Sequence, residues 1–273
     1  MNIKLKHLRV AINQTNPVFG AKEENIRQAL SMMAGAKADL YVLPELFASG
    51  YNFVDVDEVK ALAEPFKGGQ TFREMSRFAR EGDCYVVYGF AESSGSKFYN
   101  SAAIVGFDGT DGLYRKVHLF DREKLFFEPG DLGFPVLYTS IGKIGLMICF
   151  DWYFPESART LALQGAQLIA HPANLVLPNC PDGMRTRCME NRVFAVTADR
   201  VGTEERGGNT LTFIGQSQIV SPFGEIVHRA SPDKAEIVIE EIDLAIANDK
   251  RLNARNHLFN DRRPDTYSCF KEA

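Results

Sequence analysis

Apolar residues follow two spacings along this chain, and segments of the two kinds alternate. Residues 9–13 (RVAIN), 39–44 (DLYVLP), 84–91 (CYVVYGFA), 100–107 (NSAAIVGF), 136–139, 143–149 (KIGLMIC) and 168–171 are short and mostly apolar, as buried strands are. Residues 22–37 instead set Ile26, Ala29, Leu30 and Met33 at helical spacing, and 71–82 predict a second helix. A third runs from Pro155 to about Gln164, with Phe154, Ala158, Leu161 and Ala162 on one face and Pro155 suited to a first turn. Further strands are predicted at 193–200, 216–221, 225–229 and 236–242, the last three as a meander turning at 222–224, while DGTDG at 108–112 is a hairpin turn. Strands alternating with helices predict an α/β fold with antiparallel hairpins mixed in. No repeat, linker or charge block interrupts the pattern, so one domain over 1–273 is expected.

Composition narrows the class. At 45% hydrophobic and 24% charged, the chain has what a packed core needs, which excludes disorder as its main state. A net charge of −4 offers no electrostatic footprint for nucleic acid and no attraction to anionic lipid. No run of about 18 apolar residues predicts a membrane span, and the N-terminal MNIKLKHLRVAINQ lacks the apolar stretch of a signal peptide. The cysteines Cys84, Cys149, Cys180, Cys188 and Cys269 are odd in number and form no C-x-x-C pair. A disulfide framework is therefore not expected, and a reducing, cytoplasmic location is.

Many familiar sites are missing: G-x-S-x-G, a Walker A loop, G-x-G-x-x-G and H-E-x-x-H do not occur. His171, Cys180 and Cys188 do not have the spacing of a structural zinc site, so no metal is expected. Three segments remain, each ordinary when taken alone. Glu45 in LPELF suits a solvated acid in a helix's first turn. YRKVHLFDRE, with Arg115, Lys116, His118, Asp121, Arg122 and Glu123, suits an exposed, ion-paired loop. Cys149 in KIGLMICFDWYFPE suits a small buried hydrophobe at the end of a strand. Together they suggest chemistry. A thiol at a strand-to-helix turn has backbone N–H groups near it, and at neutral pH it needs a cation or a base to ionise. Lys116 can be the cation and Glu45 the base, and all three residues sit near predicted strand ends, where α/β sheets carry reactive groups.

The ordered set Glu45, Lys116 and Cys149 resembles the Glu–Lys–Cys triad of the nitrilase, or carbon–nitrogen hydrolase, superfamily. HPAN at 171–174, MENRVF at 189–194 and SPFGEI at 221–226 resemble its later landmarks, so the similarity runs from about residue 8 to about 245. The resemblance implies a four-layer αββα sandwich with its two sheets face to face. It also implies pairing into an eight-layer homodimer, or a higher even-numbered oligomer, with the tail from about residue 245 at the interface. Glu123 matches a second glutamate common in the family, with Glu128 a weaker competitor.

The implied chemistry is hydrolysis of a non-peptide C–N bond through a Cys149 thioester, without metal or cofactor. Glu45 would accept the thiol proton and later protonate the leaving amine. Lys116 and the backbone N–H after Cys149 would stabilise the anion, and Glu123 would orient Lys116 or the substrate. Tyr51, Trp152, Tyr153 and Asn174 flank these motifs and are candidate pocket residues, while Arg115, Arg187 or Arg192 could meet a substrate carboxylate. A small linear amide or N-carbamoyl compound is the leading substrate and a nitrile the alternative. A silent scaffold is a third reading, disfavoured because it has no need of all three reactive groups.

Overall fold

A strand with apolar residues on both sides has to be covered on both faces. A computed structural model, which describes residues 7–267, shows how this chain does it. Its strands are β1 (Leu8–Gln14), β2 (Leu40–Val42), β3 (Tyr85–Ser94), β4 (Lys97–Gly106), β5 (Asp111–Arg115), β6 (Val136–Thr139) and β7 (Gly142–Leu146). They continue as β8 (Leu168–Pro172), β9 (Phe194–Ala198), β10 (Val201–Arg206), β11 (Asn209–Ile214), β12 (Gln218–Val220), β13 (Ile226–Arg229) and β14 (Glu236–Ile242). The α-helices are α1 (Lys22–Ala34), α2 (Val56–Leu62), α3 (Gln70–Gly82), α4 (Pro155–Leu163) and α5 (Cys180–Asn191).

Two six-stranded sheets form, in the orders β14-β1-β2-β3-β4-β5 and β13-β12-β9-β8-β7-β6. Each has a parallel centre, β1-β2-β3 and β7-β8-β9, flanked by antiparallel strands. Val10, Ile12, Leu40, Val42 and Val87 share one cluster with Ile144, Leu146, Leu168 and Ala170 of the facing sheet. Ala11, Tyr41, Val86 and Tyr88 point the other way, onto Ile26 and Met33 of α1 and Met75 of α3. Ala158 and Leu161 of α4 and Met184 and Cys188 of α5 cover the second sheet from outside. The order is helices, sheet, sheet, helices, which is the αββα layering that the resemblance implied.

Several boundaries differ from the sequence expectation. The KIGLMIC strand stops at Leu146, so Cys149 lies beyond the strand rather than ending it. The first helix stops at Ala34, with Gly35 as its C-cap, instead of reaching 37. The DGTDG turn is shorter than expected, because Asp111 and Gly112 already pair in β5 against β4. Helix α2 was not anticipated, although Asp55 caps it by accepting the Glu58 N–H at 3.0 Å. Helix α5 was also missed: Gly183 weakens it and its apolar residues form no continuous stripe, although Pro181 sits in its first turn, where proline is tolerated. The β10–β11 hairpin carried a readable Gly207–Gly208 turn between alternating strands.

From residue 245 onward the described tail packs on its own chain, with Lys250 Nζ donating to the Asn191 and Arg192 carbonyls at 3.1 and 2.7 Å. Cys269 and the rest of the tail expected at an interface lie outside the described residues. Among the described residues no helix is long and apolar enough to cross a membrane.

Candidate functional site

The loops that leave β2, β5 and β7 converge between the sheets. Glu45 lies in the turn after β2 and Lys116 directly follows β5, and both are 0% exposed, so neither the solvated acid nor the exposed loop is what forms. Lys116 Nζ donates to Glu45 Oε1 at 2.7 Å and to Glu123 Oε1 at 2.7 Å. Glu45 Oε1 also accepts Asn100 Nδ2 at 2.7 Å, which leaves Oε2 buried without a partner among the described residues. Gly89 of β3 makes this placement possible, because a Cβ there would lie 2.5 Å from Glu45 Cα.

Glu123 is held as firmly. Its Oε1 accepts the Tyr51 hydroxyl at 2.6 Å in addition to Lys116, and its Oε2 accepts the Phe120 N–H at 3.1 Å. Glu128 is exposed and stands apart.

Cys149 opens a 3₁₀ turn, Cys149–Tyr153, with a φ of 40°. That left-handed conformation is costly for a residue with a Cβ, so its surroundings have to hold it. His171 does part of this, with Nε2 2.9 Å from the Cys149 carbonyl oxygen and Nδ1 3.0 Å from Thr197 Oγ1. Burial pushes His171 down to about 4, so the neutral ring donates to that carbonyl and accepts from the threonine. Asp151 does the rest. One oxygen accepts the Ile148 N–H at 2.8 Å and the Tyr114 hydroxyl at 2.6 Å. The other accepts the His118 N–H at 3.2 Å and lies 2.8 Å from His118 Nδ1. The cysteine's turn is thereby tied to the segment that carries Lys116.

Burial raises Glu45 to about 7; Lys116 opposes the rise, and Glu123 adds to it. Burial works against the Lys116 charge, yet Glu123 and Glu45 outweigh it and hold the ammonium above its usual range. Burial and the neighbouring Glu45 push the Cys149 thiol well up, more than Lys116 draws it down. The arrangement therefore favours a protonated thiol beside a carboxylate able to take its proton, not a standing thiolate.

A narrow cleft opens onto Cys149. Of the expected pocket residues, Trp152, Tyr153 and Asn174 line it, together with the unanticipated Phe120, Phe150 and Val176. Asn174 also ties two motifs together, since its Nδ2 donates to the Glu45 carbonyl at 2.8 Å while its own carbonyl lies 3.8 Å from Cys149 Sγ. Tyr51 lines the adjoining cleft, which shares Phe120 and Val176 and includes Arg122.

The arginines named for a substrate carboxylate are occupied elsewhere. Arg115 pairs with Glu92 and Asp131, Arg187 with Glu190 and the Trp152 carbonyl, and Arg192 lies over the Phe223 ring. The sequence reading also missed Asn100, Asp151 and His171 as site residues. Asp151 and His171 lie within the ICFDWYFPE and HPAN segments, whereas nothing in the sequence around Asn100 marks it. Among the described residues no group of three or more His, Cys, Asp or Glu side chains could hold a metal ion.

Known proteins share this arrangement of sequence and fold. The carbon-nitrogen hydrolase family model matches residues 9–251. A nitrilase of Pyrococcus abyssi is 50% identical over 263 residues, 95% of this chain and 99% of its own. An N-carbamoylputrescine amidase of Solanum tuberosum is 35% identical over 254 residues, 84% of this chain and 83% of its own. The crystal structure of a carbon-nitrogen hydrolase from Helicobacter pylori G27 superposes with a TM-score of 0.86 at 28% identity, covering 97% of this chain and 99% of that one.

Proposed function

This chain belongs to the carbon–nitrogen hydrolase family, and from that membership we propose that it cleaves a small linear amide or N-carbamoyl compound through a thioester on Cys149. The observation that carries this reading is the division of labour on Glu45. One of its oxygens is committed to Lys116 and Asn100, and the other is buried and has no partner among the described residues. That second oxygen takes the thiol proton as sulfur attacks the carbonyl carbon. Lys116 and the backbone N–H after Cys149 face the negative charge that develops on the carbonyl oxygen. Glu45 returns its proton to the departing nitrogen, leaving a thioester. Water then attacks the thioester, gives its proton to Glu45, and frees the acid and the thiol. Glu123 holds Lys116 in place throughout.

The hydrogen-bonding balance favours an amide over a nitrile. Asn174, which lines the Cys149 cleft, has a buried Oδ1 without a partner among the described residues. Buried acceptors favour a ligand that brings donors. An amide or ureido –NH₂ brings them, and a nitrile has none. The nitrile reading has its own support in the relative from Pyrococcus abyssi that bears the name nitrilase. Ammonia release across a panel of primary amides, ureido compounds and nitriles separates the two. Turnover of amides or ureido compounds well above the matching nitriles is expected, and nitrile turnover equal or higher would reverse the assignment. Cys149→Ala should release no ammonia in the same assay, whereas Cys84→Ala should remain active.

We further propose a homodimer or higher even oligomer packed through the α4–α5 side. Leu163 on α4, Met189 on α5 and Phe223 beside it are exposed there.

A further inference from the structure

One buried ion pair lies away from the acids around Lys116. Arg200, which precedes β10, is 1% exposed and Glu204, within β10, is 5% exposed. Each nitrogen of the guanidinium has a partner. It pairs with Glu204 Oε1, donates to the carbonyls of Pro17 at 2.9 Å and Val201 at 3.3 Å, and lies 4.1 Å from the Phe213 ring centroid. Desolvation offsets much of the attraction in such a pair, so stability alone is a poor account of it.

The other carboxylate oxygen of Glu204 shows what the pair holds. Oε2 accepts the backbone N–H of Asn52 at 2.7 Å and of Tyr51 at 3.1 Å. The chain reaches this position through Gly50 at φ +84°, where a Cβ would lie 2.8 Å from Phe19 Cα and 2.9 Å from Glu204 Oε1. Asn52 is gripped a second time, its Nδ2 donating to the Glu204 carbonyl at 3.3 Å and the Asn209 carbonyl at 3.0 Å. Tyr51 then turns toward the site, where its hydroxyl donates to Glu123 Oε1 at 2.6 Å, the atom that also accepts Lys116 Nζ at 2.7 Å. An unbroken series of contacts runs from Arg200 to Lys116.

We propose that Glu204, clamped by Arg200, is a positioning residue for the reaction. It fixes the Tyr51–Asn52 backbone and, through the Tyr51 hydroxyl and Glu123, sets where the Lys116 ammonium sits. The proposal rests on the reading of Lys116 as the charge that faces the developing anion. Stabilisation by a fixed charge depends steeply on position, and a misplacement of about 1 Å can cost about 10²-fold in rate.

The test compares Glu204→Gln, Tyr51→Phe and the double variant on whichever amide the panel shows to be turned over, with melting temperatures alongside. Each single variant should lower kcat by roughly 10- to 100-fold with KM little changed. The double variant should lose no more than the worse single, because both changes cut one series of contacts. Losses that multiply would overturn the proposal. So would wild-type kcat in Glu204→Gln, or an effect confined to its melting temperature. If Glu204→Gln fails to fold, Arg200→Met/Glu204→Gln removes the unpaired charge, and its coupling to Tyr51→Phe is read in the same way. Lys116→Ala separates the two levels of the argument. Full turnover there defeats the reading of Lys116 itself, while an inactive Lys116→Ala combined with multiplying Glu204 and Tyr51 losses defeats only this proposal.

Discussion

Glu45 and His171 are both buried, and burial moves their proton affinities in opposite directions. Glu45 must be ionised to accept the thiol proton, and it is raised to about 7. The kcat/KM profile should therefore rise with pH through about 7, and Glu45→Gln should lose that limb together with most of the rate. A wild-type limb near pH 4 would remove the shift. The same groups act on stability. His171 falls from 6.5 to about 4, so between those values the unfolded chain binds a proton that the native state does not, and acidification destabilises the fold. Glu45 rises from 4.5 to about 7, so across that window the native state binds the extra proton, and acidification stabilises the fold. The two contributions oppose each other, each on the order of 3 kcal/mol at about 1.4 kcal/mol per pKa unit. Glu45→Gln removes only the second. Urea midpoints at pH 7 and pH 5 should fall further on acidification in Glu45→Gln than in wild type, and parallel behaviour would contradict the shift.

At the scale of elements, the groups proposed to react lie where the chain leaves its strands, and the backbone there is unusual. Leu46 at φ 49°, Asp121 at φ 44° and Cys149 at φ 40° flank or form the site. Left-handed residues with side chains cost of order 1–3 kcal/mol each and need support from their surroundings. Asp151 supplies much of it, joining the turn of Cys149 to the segment after β5. Asp151→Asn preserves the shape but replaces one accepting oxygen with a donor. It should lower both kcat and the melting temperature, with at least about 1–3 kcal/mol lost for the buried donors left unmatched. Unchanged values for both would mean that the turn is held by other contacts.

At the scale of the whole molecule, Leu163, Met189 and Phe223 are exposed apolar side chains, and the proposed pairing would cover them. The apolar side chains exposed on the α4–α5 side support pairing there, and C₂ dimers are the commonest symmetric assemblies. Light scattering at micromolar concentration should give twice the 30.5 kDa of one chain, or a higher even multiple. Met189→Glu together with Phe223→Glu should shift that mass toward the single chain. A mass of one chain in the unaltered protein would count against the assembly.

Some of this was determined by the sequence alone. The uninterrupted apolar runs specified buried strands and helical spacing specified α1 and α4, because these are local properties of the chain, while the ordered LPELF, YRKVHLF and ICFDWYFPE segments pointed to Glu45, Lys116 and Cys149 as candidates only through the resemblance they carry together. The unanticipated helices and hairpin show where local signals weaken: α5 contains a glycine and lacks a continuous apolar stripe, and β10–β11 pairs outside the two main sheets. What only the tertiary structure decided is proximity and proton affinity. Nothing in the order of residues shows that Lys116 Nζ lies 2.7 Å from two carboxylates, or that Arg200 and Glu204 hold the backbone of Tyr51. Nor does it show that Glu45 loses all contact with water and rises to about 7. Proton affinity depends on the dielectric and the charges around a group, and distant segments of the chain create both only once the two sheets have closed on each other.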